Sequence, residues 1–418
     1  MMINKDRISY ISFLLSTLIL LSTILIENDS ISYILNAKVG DGDNYVGLFR
    51  RYLELGHWNA VSEGTSVLYN IAINVIYTFT KNEAYSIFIL NFISILVSLL
   101  ISCYLIYKII NHKIYSSILV LLLISLFIKN KLHIPGNDDL FSGMLYSFIV
   151  YLLYKYQLKE KNIYIGGIGV LLGLCFSIRE LTILWLPIIL IFVAYFGTSI
   201  REFFKLFFTI SIPMMLTVFI MHFPAIQEKG RLSFYDKQPE NRNINWMQRN
   251  YLGLKKIEKG ELPLNPGAIW KGTSFMEVEQ YLLDNGNDSL PRTYLQAFQK
   301  DPVLFAKITL YNLNTTIKYY FSGLGFLVIF PILLSPYSLR SRKNIYYLVF
   351  GLFSIMICTI AYSFVEFRWF HGTESFLFLS IAFATHNAIK NNRIKLLQII
   401  YLLSLVFILI NYLRSYIL

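Results

Sequence analysis

Charged side chains are scarce in this chain: Asp, Glu, Lys and Arg together make up 15% of its 418 residues. Soluble globular proteins carry about 25% charged residues, so the composition excludes a soluble enzyme and a disordered protein. Hydrophobic residues make up 56% and gather in successive apolar runs. Most runs approach the ~20 residues that a helix needs to cross a bilayer. The sequence therefore predicts an all-α polytopic membrane protein.

Cysteine and the common motifs of soluble enzymes are also nearly missing. Cys103, Cys175 and Cys358 all fall inside apolar runs, which favours core packing and argues against a disulfide framework. The sequence contains no Gly-rich dinucleotide motif, no Walker A lysine motif and no nucleophile elbow. Its six histidines show no metal-ligand spacing. These absences argue against a nucleotide-powered pump.

The apolar runs predict about eleven transmembrane helices, give or take one. They cover 8–26, 84–108, 114–128, 138–155, 162–178, 181–197, 203–221, 315–334, 344–363, 369–388 and 395–413. A shorter run, 67–80, would form a helix of about 21 Å, and we place it at the outer interface rather than across the membrane. The net charge is +12, and the Lys and Arg residues cluster between the runs. By the positive-inside rule these clusters lie in the cytoplasm.

Two polar stretches interrupt the apolar runs and define the predicted domains. An N-terminal transmembrane module covers 1–221 and includes the outer loop 27–66. An outer loop domain covers 222–302, and a C-terminal transmembrane module covers 303–418. The basic clusters place both polar stretches and the loop around Glu366 on the same, outer side.

Ionisable residues at the level of a membrane need a reason, because burying a charge in lipid is costly. In this sequence they stand near the ends of apolar runs, in five segments on the predicted outer side. They are Asp41, Asp43, Glu63, Asp138, Asp139, Arg179, Glu180, Glu366, Arg368 and His371. Acids and arginines that meet on one face of the membrane indicate a catalytic or binding cavity.

Each of these segments also has a structural interpretation, which stays open at this stage. The first acids lie in Gly-Asp-Gly-Asp, which is good turn chemistry. The pair Asp138–Asp139 suits the N-terminus of a helix, where capping and the helix dipole favour acids. Arg179–Glu180 would be a local pair in a tight helical hairpin, and Glu366–Arg368 would be an interfacial anchor.

The order and spacing of these residues resemble the membrane glycosyltransferases of the C fold (GT-C). These include the protein mannosyltransferases and the aminoarabinose transferases of lipid A. Their first outer loop reads Asp, then Tyr four residues on, an amphipathic helix and Gly-x-Trp. It is similar to the run Asp41, Tyr45, Gly56 and Trp58 in this sequence.

Three further segments carry the resemblance, which covers roughly 35–190 and 345–390. The segment from Glu63 to Tyr69 is similar to the Glu-Lys-Pro-Pro-Leu-Leu-Tyr of the family, with Gly-Thr-Ser in place of Lys-Pro-Pro. Asp138–Asp139 opens a helix at a similar distance from the first acid. Glu366-x-Arg368-Trp369 is similar to a Glu/Pro-x-Arg-Tyr of a late helix. The resemblance therefore implies a C-fold enzyme whose first outer loop carries juxtamembrane helices, with a small outer loop domain.

The resemblance also implies an activity, the transfer of a sugar from a polyprenyl-phosphate donor to an acceptor hydroxyl at the outer face of the membrane. It makes Asp41 the general base, with Asp43 second, and the displacement is inverting unless Asp43 acts as a nucleophile. Arg368 and Arg179 would bind the leaving phosphate, because the arginine fork suits a phosphate. The other substrate-binding candidates are Asp138, Asp139, Glu180, Glu366 and His371. Glu63 is nominated as a ligand for a divalent cation, and no other cofactor is implied.

The Lys-, Ile- and Asn-rich composition is typical of AT-rich envelope-polysaccharide genes. It favours an O-antigen, a capsule or a lipid-linked glycan as the acceptor class. The outer loop 222–302 is too small for the large soluble domain of oligosaccharyltransferases, which favours transfer of a single sugar over transfer of a preassembled glycan. The expected location is the bacterial inner membrane, with the active site facing the periplasm. The expected partners are the polyprenyl-phosphate-sugar donor, a glycan or glycolipid acceptor and membrane lipids, without nucleic acid.

Three other functions remain as alternatives. An O-antigen or capsule polymerase or ligase would use arginines of a large outer loop, and this loop contains Arg231, Arg242, Arg249 and Arg292. A polysaccharide flippase or transporter would place its charges near the membrane midplane, whereas the charges here stand at run ends. A non-catalytic scaffold would not need five polar segments on one side.

Overall fold

The computed structural model describes residues 42–62, 67–131, 138–196, 199–232, 244–265, 267–333 and 344–417. All regular secondary structure in these ranges is helical. This part of the chain therefore has the all-α fold that the apolar runs predicted.

The helices before residue 233 are α1 (Gly42–Ser62), α2 (Val67–Thr80), α3 (Glu83–Ile110), α4 (Lys113–Lys131), α5 (Asp139–Lys159), α6 (Asn162–Phe176), α7 (Trp185–Phe196) and α8 (Ile200–Lys229). A 3₁₀ turn, Glu180–Leu184, joins α6 to α7. Polar caps explain several ends. The Asn82 side chain accepts a hydrogen bond from the Tyr85 amide at the start of α3, and Ser199 does the same for Glu202 at the start of α8.

The later helices are α9 (Trp246–Glu258), α10 (Ala268–Gly272), α11 (Phe275–Asn285), α12 (Tyr294–Lys300), α13 (Pro302–Leu324), α14 (Phe330–Leu333), α15 (Ile345–Ile360), α16 (Glu374–Lys390) and α17 (Ile394–Ile417). Short 3₁₀ turns cover Asn287–Ser289, Gly325–Val328 and Phe367–Phe370. The Asp301 carboxylate accepts a hydrogen bond from the Leu304 amide, and Pro302 follows it as the first residue of α13. Proline is favoured at that position because its missing N–H would have no partner there.

Four stretches of the described chain are helical, long and apolar enough to cross a membrane. They are Glu83–Ile110, Ile200–Lys229, Pro302–Leu333 and Ile394–Asn411. Shorter apolar helices of 10–17 residues include Val67–Thr80, the run that the sequence placed at the interface. The predicted first span, 8–26, lies outside the described residues. The helices thus support an integral membrane protein, and the count of about eleven crossings is not confirmed.

Glycines set two of the close approaches in the fold. A Cβ on Gly169 of α6 would lie 2.3 Å from the carbonyl oxygen of Ile210 in α8, and one on Gly173 would lie 2.7 Å from the carbonyl oxygen of Met214. Such distances are possible only without a side chain, so this small-x-x-x-small pair lets two backbones touch, as in many membrane helix pairs.

The glycine of the Gly-x-Trp motif interrupts α1. Gly56 has φ 73° and ψ 165°, a conformation that residues with a Cβ rarely adopt. Beyond this break, the indole Nε1 of Trp58 donates to the Glu228 carboxylate at 2.6 Å, and its ring packs edge-on against Phe223. The motif therefore ties the second part of α1 to the end of α8.

Tertiary contacts divide the chain into two compact units. The first unit comprises Met1–Tyr235, Tyr320–Gly351 and Phe370–Leu418, and the second comprises Asp236–Tyr319 and Leu352–Trp369. The second unit has a hydrophobic core of its own, formed by Ile244, Met247, Tyr251, Leu252, Leu254, Ile269, Val278, Leu282, Leu290, Ala297, Leu304, Ile308, Tyr362 and Phe364. The three-module division of the sequence stays a prediction.

Candidate functional site

An arginine and two aspartates meet in the first unit. Arg179 lies in extended backbone between α6 and the following 3₁₀ turn. Its Nε is 2.7 Å from Asp138 Oδ1, and its Nη1 is 3.0 Å from Asp139 Oδ1. The side chain of Arg179 is 20% exposed, against 6% and 4% for the two aspartates. Three of the predicted site residues are thus brought together as a partly buried ion cluster.

The start of α5 explains why both aspartates are available to Arg179. Asp138 precedes the helix and makes no side-chain capping hydrogen bond, and Asp139 is the first helical residue. A helix N-terminus favours carboxylates electrostatically even without a cap. The carboxylates point to the guanidinium, so capping alone does not account for this Asp-Asp pair.

A tyrosine extends the cluster to α1. The Tyr45 hydroxyl donates to Asp138 Oδ1 at 2.9 Å, and Arg179 Nη2 lies 3.5 Å from the same hydroxyl oxygen. The ring of Tyr45 packs edge-on against Tyr69, whose hydroxyl donates to Asn91 Oδ1 at 3.1 Å. We call Tyr45, Asp138, Asp139 and Arg179 the Arg179 cluster, which joins α1, α5 and the α6–α7 connection.

The carboxylates keep Arg179 charged. Burial alone would lower the pKa of its guanidinium, but the charges of Asp138 and Asp139 outweigh burial and raise the pKa well above its ordinary value. Two carboxylates against one guanidinium leave a formal charge of −1 on the cluster when all three groups are ionised. Because its Nε and Nη1 already bind carboxylates, Arg179 holds Asp138 and Asp139 in place.

The beginning of α16 packs onto α5 next to these residues. A Cβ on Gly143 would lie 3.1 Å from the Cβ of His371, and one on Gly372 would collide with the Tyr146 ring. His371 is buried, and it packs against α5 at Gly143, which lies one helical turn after Asp139. The Tyr146 hydroxyl in turn lies 2.6 Å from Thr182 Oγ1, three residues after Arg179.

The interpretation of the sequence missed one buried acid in this region. Glu374 is completely buried in the first turn of α16, three residues after His371. The signal was present, since Glu374 is an ionisable residue inside the predicted apolar run 369–388. Glu374 lies outside the segments that carry the resemblance, the last of which ends at Trp369.

The second unit holds the pair Glu366 and Arg368. The Arg368 Nε donates to the Glu366 carboxylate, and the two side chains are 13% and 26% exposed for Arg368 and Glu366 respectively. The intervening Phe367 begins the 3₁₀ turn and stacks on Tyr319 with ring centroids 4.2 Å apart. This pair is therefore local in sequence, and the backbone of its segment determines where it lies.

Several predicted site residues receive no test from this geometry. Asp41 and Glu63 lie outside the described residues. Asp43 belongs to α1, but its side chain lies outside the described part of the structure. Glu180 begins a 3₁₀ turn with an exposed side chain. Within the described ranges, no group of three or more His, Cys, Asp or Glu side chains is arranged to hold a metal ion.

Arg249, one of the outer-loop arginines, is used structurally. Its Nε donates to the Thr273 carbonyl at 2.6 Å and its Nη2 donates to the Trp270 carbonyl at 2.7 Å. The guanidinium carbon lies 5.0–5.4 Å from the ring centroids of Trp246, Trp270 and Phe275. Burial lowers the pKa of Arg249. The residue fixes the connection after α10 to α9, which removes it from the set that a polymerase or ligase would use.

A comparison with protein-family models, with curated proteins and with solved structures found no match for the chain. The resemblance to C-fold glycosyltransferases therefore rests on the quoted residues alone. The geometry that bears on it is the Arg179 cluster in the first unit and the Glu366–Arg368 pair in the second.

Proposed function

We propose that this protein is a membrane glycosyltransferase of the C-fold type. It moves a single sugar from a polyprenyl-phosphate donor to a hydroxyl of a cell-envelope glycan or glycolipid. The reaction takes place at the outer face of the bacterial inner membrane. The observation that carries the proposal is the hydrogen bond from Tyr45 to Asp138, with Arg179 bound to both. It joins the helix that follows Asp41 to the acids that open α5.

Chain length limits how far the proposed base can lie from this cluster. Asp41 lies four positions before Tyr45, so their Cα atoms are at most about 14 Å apart even in a fully extended chain. The Arg179 cluster holds Tyr45, so it also restricts the region that Asp41 can reach. An acid close in sequence to a partly buried ion cluster suits a general base, because limited hydration can raise the pKa of a carboxyl.

The proposed reaction is a direct displacement. The Asp41 carboxylate takes the proton of the acceptor hydroxyl, and the acceptor oxygen attacks the anomeric carbon. The bond between that carbon and the phosphate oxygen breaks, and the polyprenyl phosphate leaves with the electron pair. Arg368 binds the leaving phosphate, because a guanidinium forms charge-assisted hydrogen bonds with phosphate oxygens.

The structure leads us to refine the role proposed for Arg179. Its Nε and Nη1 bind carboxylates, and its Nη2 faces the Tyr45 hydroxyl. We therefore assign it to orienting Asp138, Asp139 and Tyr45, and we assign the donor phosphate to Arg368. Asp43 remains the second base candidate, and His371 remains a substrate-binding candidate.

The test is transfer of a labelled sugar from polyprenyl-phosphate donors in membranes that contain the protein. We expect Asp41→Asn to abolish transfer and Arg368→Ala to weaken it, both at unchanged protein level. Asp284→Asn and Arg292→Ala are matched controls, because both residues are exposed in the second unit, and transfer should stay at the wild-type rate.

Two results would count against this assignment. Transfer at the wild-type rate by Asp41→Asn would remove Asp41 as the base and move the test to Asp43. If no donor is used, but glycan chains in the source cells shorten when the gene is deleted, the protein is a polymerase or ligase instead.

A further inference from the structure

One face of α13 carries three side chains that contact the segment leading to Arg368. Asn312, Thr316 and Tyr319 stand at i, i+4 and i+7, which places them on one side of the helix. All three are buried within the second unit. Asn312 is completely buried, and a buried amide without hydrogen-bond partners would be costly.

The Asn312 amide binds the unwound backbone that follows α15. Its Nδ2 donates to the carbonyl of Ser363 at 2.8 Å and, at 3.4 Å, to the carbonyls of Cys358 and Ala361. Its Oδ1 accepts from the Val365 amide at 3.0 Å. Helical hydrogen bonding ends at Ile360, so one side chain supplies partners to backbone groups that the helix no longer satisfies.

Two further contacts hold the same segment. Thr316 Oγ1 lies 3.3 Å from Cys358 Sγ, and the Tyr319 ring stacks on Phe367 with an interplanar angle of 10°. The contacts run from Cys358 to Phe367, immediately before Arg368. The position of the Arg368 guanidinium therefore depends on backbone that α13 holds in place.

We propose that Asn312 is a positioning residue that holds the 361–368 segment so that Arg368 can bind the phosphate of a lipid-linked donor. This inference rests on the proposed function, in which Arg368 receives that phosphate. The pair of Arg368 with Glu366 is local and cannot place itself, because both residues move with the same short segment. Ser363 and Val365 are buried, and buried backbone outside a helix is stable only where other protein groups satisfy it, as Asn312 does.

The experiment measures binding of farnesyl phosphate to the purified full chain in detergent, with farnesol as the uncharged control. We expect wild type to bind farnesyl phosphate more tightly than farnesol. Arg368→Ala should weaken phosphate binding about tenfold, the scale of one charge-assisted hydrogen bond. Asn312→Leu should weaken it to a similar extent. The double variant should be no weaker than Arg368→Ala alone, because both changes act on one contact.

The matched control is Asn314→Leu, the same substitution at an exposed position of the same helix, and it should bind as wild type does. If Asn312→Leu does not fold, Asn312→Asp carries the test, since it keeps the acceptor for Val365 and, when ionised, loses the donations to the carbonyls. Hydrogen exchange of the 361–368 amides should rise in either variant and stay unchanged in Asn314→Leu.

The outcomes separate the inference from the function beneath it. Wild-type affinity in Asn312→Leu, or losses that add in the double variant, would overturn the positioning role and leave the proposed function standing. Equal affinity of wild type for farnesyl phosphate and farnesol would overturn both, because Arg368 would then have no phosphate to receive.

Discussion

The two units hold their arginines in opposite ways. In the first unit, Arg179 pairs with an aspartate 41 residues earlier in the chain, and a tyrosine of a third segment joins them. In the second unit, Arg368 pairs with Glu366, two residues away. The aspartates bound to Arg179 are nearly inaccessible, whereas Glu366 keeps about a quarter of its side chain exposed.

This difference separates a pair that only the folded chain can form from a pair that is local in sequence. A pair formed between distant segments exists only in the folded chain, so it contributes to the stability of the fold. A pair two residues apart can also form in the unfolded chain, so folding gains little from it. Arg179 is therefore expected to organise the first unit, and Arg368 is expected to act on a ligand.

The largest expected effect tests that separation through stability. Arg179→Leu leaves two buried carboxylates without their cation, and we expect it to lower the free energy of unfolding by about 3–5 kcal/mol. Arg368→Leu should lower it by about 1 kcal/mol, because its partner is local and partly exposed. Unfolding of the purified protein in detergent, followed by tryptophan fluorescence, measures both.

Arg292→Leu serves as the control for loss of an exposed arginine and should leave stability unchanged within about 0.5 kcal/mol. Equal losses in Arg179→Leu and Arg368→Leu would break the comparison. Arg368 would then have a structural role that its two-residue pair with Glu366 does not explain.

A smaller effect tests how far the Arg179 cluster depends on α1. Tyr45→Phe removes the hydrogen bond to the Asp138 carboxylate, and bonds to charged groups contribute about 1.5–3 kcal/mol. Tyr52→Phe in the same helix removes a hydrogen bond to the His57 imidazole instead of a carboxylate, and a typical hydrogen bond contributes about 0.5–1.5 kcal/mol. We expect the first substitution to destabilise more in the same unfolding measurement. The reverse order would show that the Tyr45 contact adds little to the cluster.

Much of the helical architecture could be predicted from the sequence, because apolar runs and polar caps are local signals. The runs locate α3 and α8, and Asn82 and Ser199 mark where these helices begin. The close contact of Gly169 with Ile210 could not be predicted, since a glycine pair does not name the helix that it touches.

The candidate site could be predicted only as a set of residues. Charges at the ends of apolar runs indicated Asp138, Asp139 and Arg179, but their pairing depends on tertiary positions that spacing does not determine. Asn312 was missed for a different reason. A neutral amide just before the predicted run 315–334 carries no charge signal, and only the tertiary structure shows that it binds four backbone groups.

The smallest expected effect concerns the acids of the second unit. Burial alone would raise the pKa of Asp301, but hydrogen bonds from the Lys255 ammonium and the Leu304 amide outweigh it and lower the pKa. Hydrogen bonds from Lys255 and Lys307 also lower the pKa of Glu258. A lowered folded-state pKa means stability that is present above the unfolded value, near 4, and is lost as the pH falls through the folded value.

Asp301→Asn should therefore flatten the acid limb of the stability curve. Between about pH 5 and pH 3, the free energy of unfolding of wild type should fall by about 1 kcal/mol as Asp301 is protonated. The variant lacks this contribution already at neutral pH, so its stability should not show that fall. Asp284→Asn is the matched control, because Asp284 is exposed and accepts a hydrogen bond from the uncharged amide of Gln280. The two curves should converge at low pH, where protonated Asp301 no longer binds Lys255 as an anion. Parallel curves would show that the acid sensitivity of the stability arises outside the Asp301–Lys255 pair.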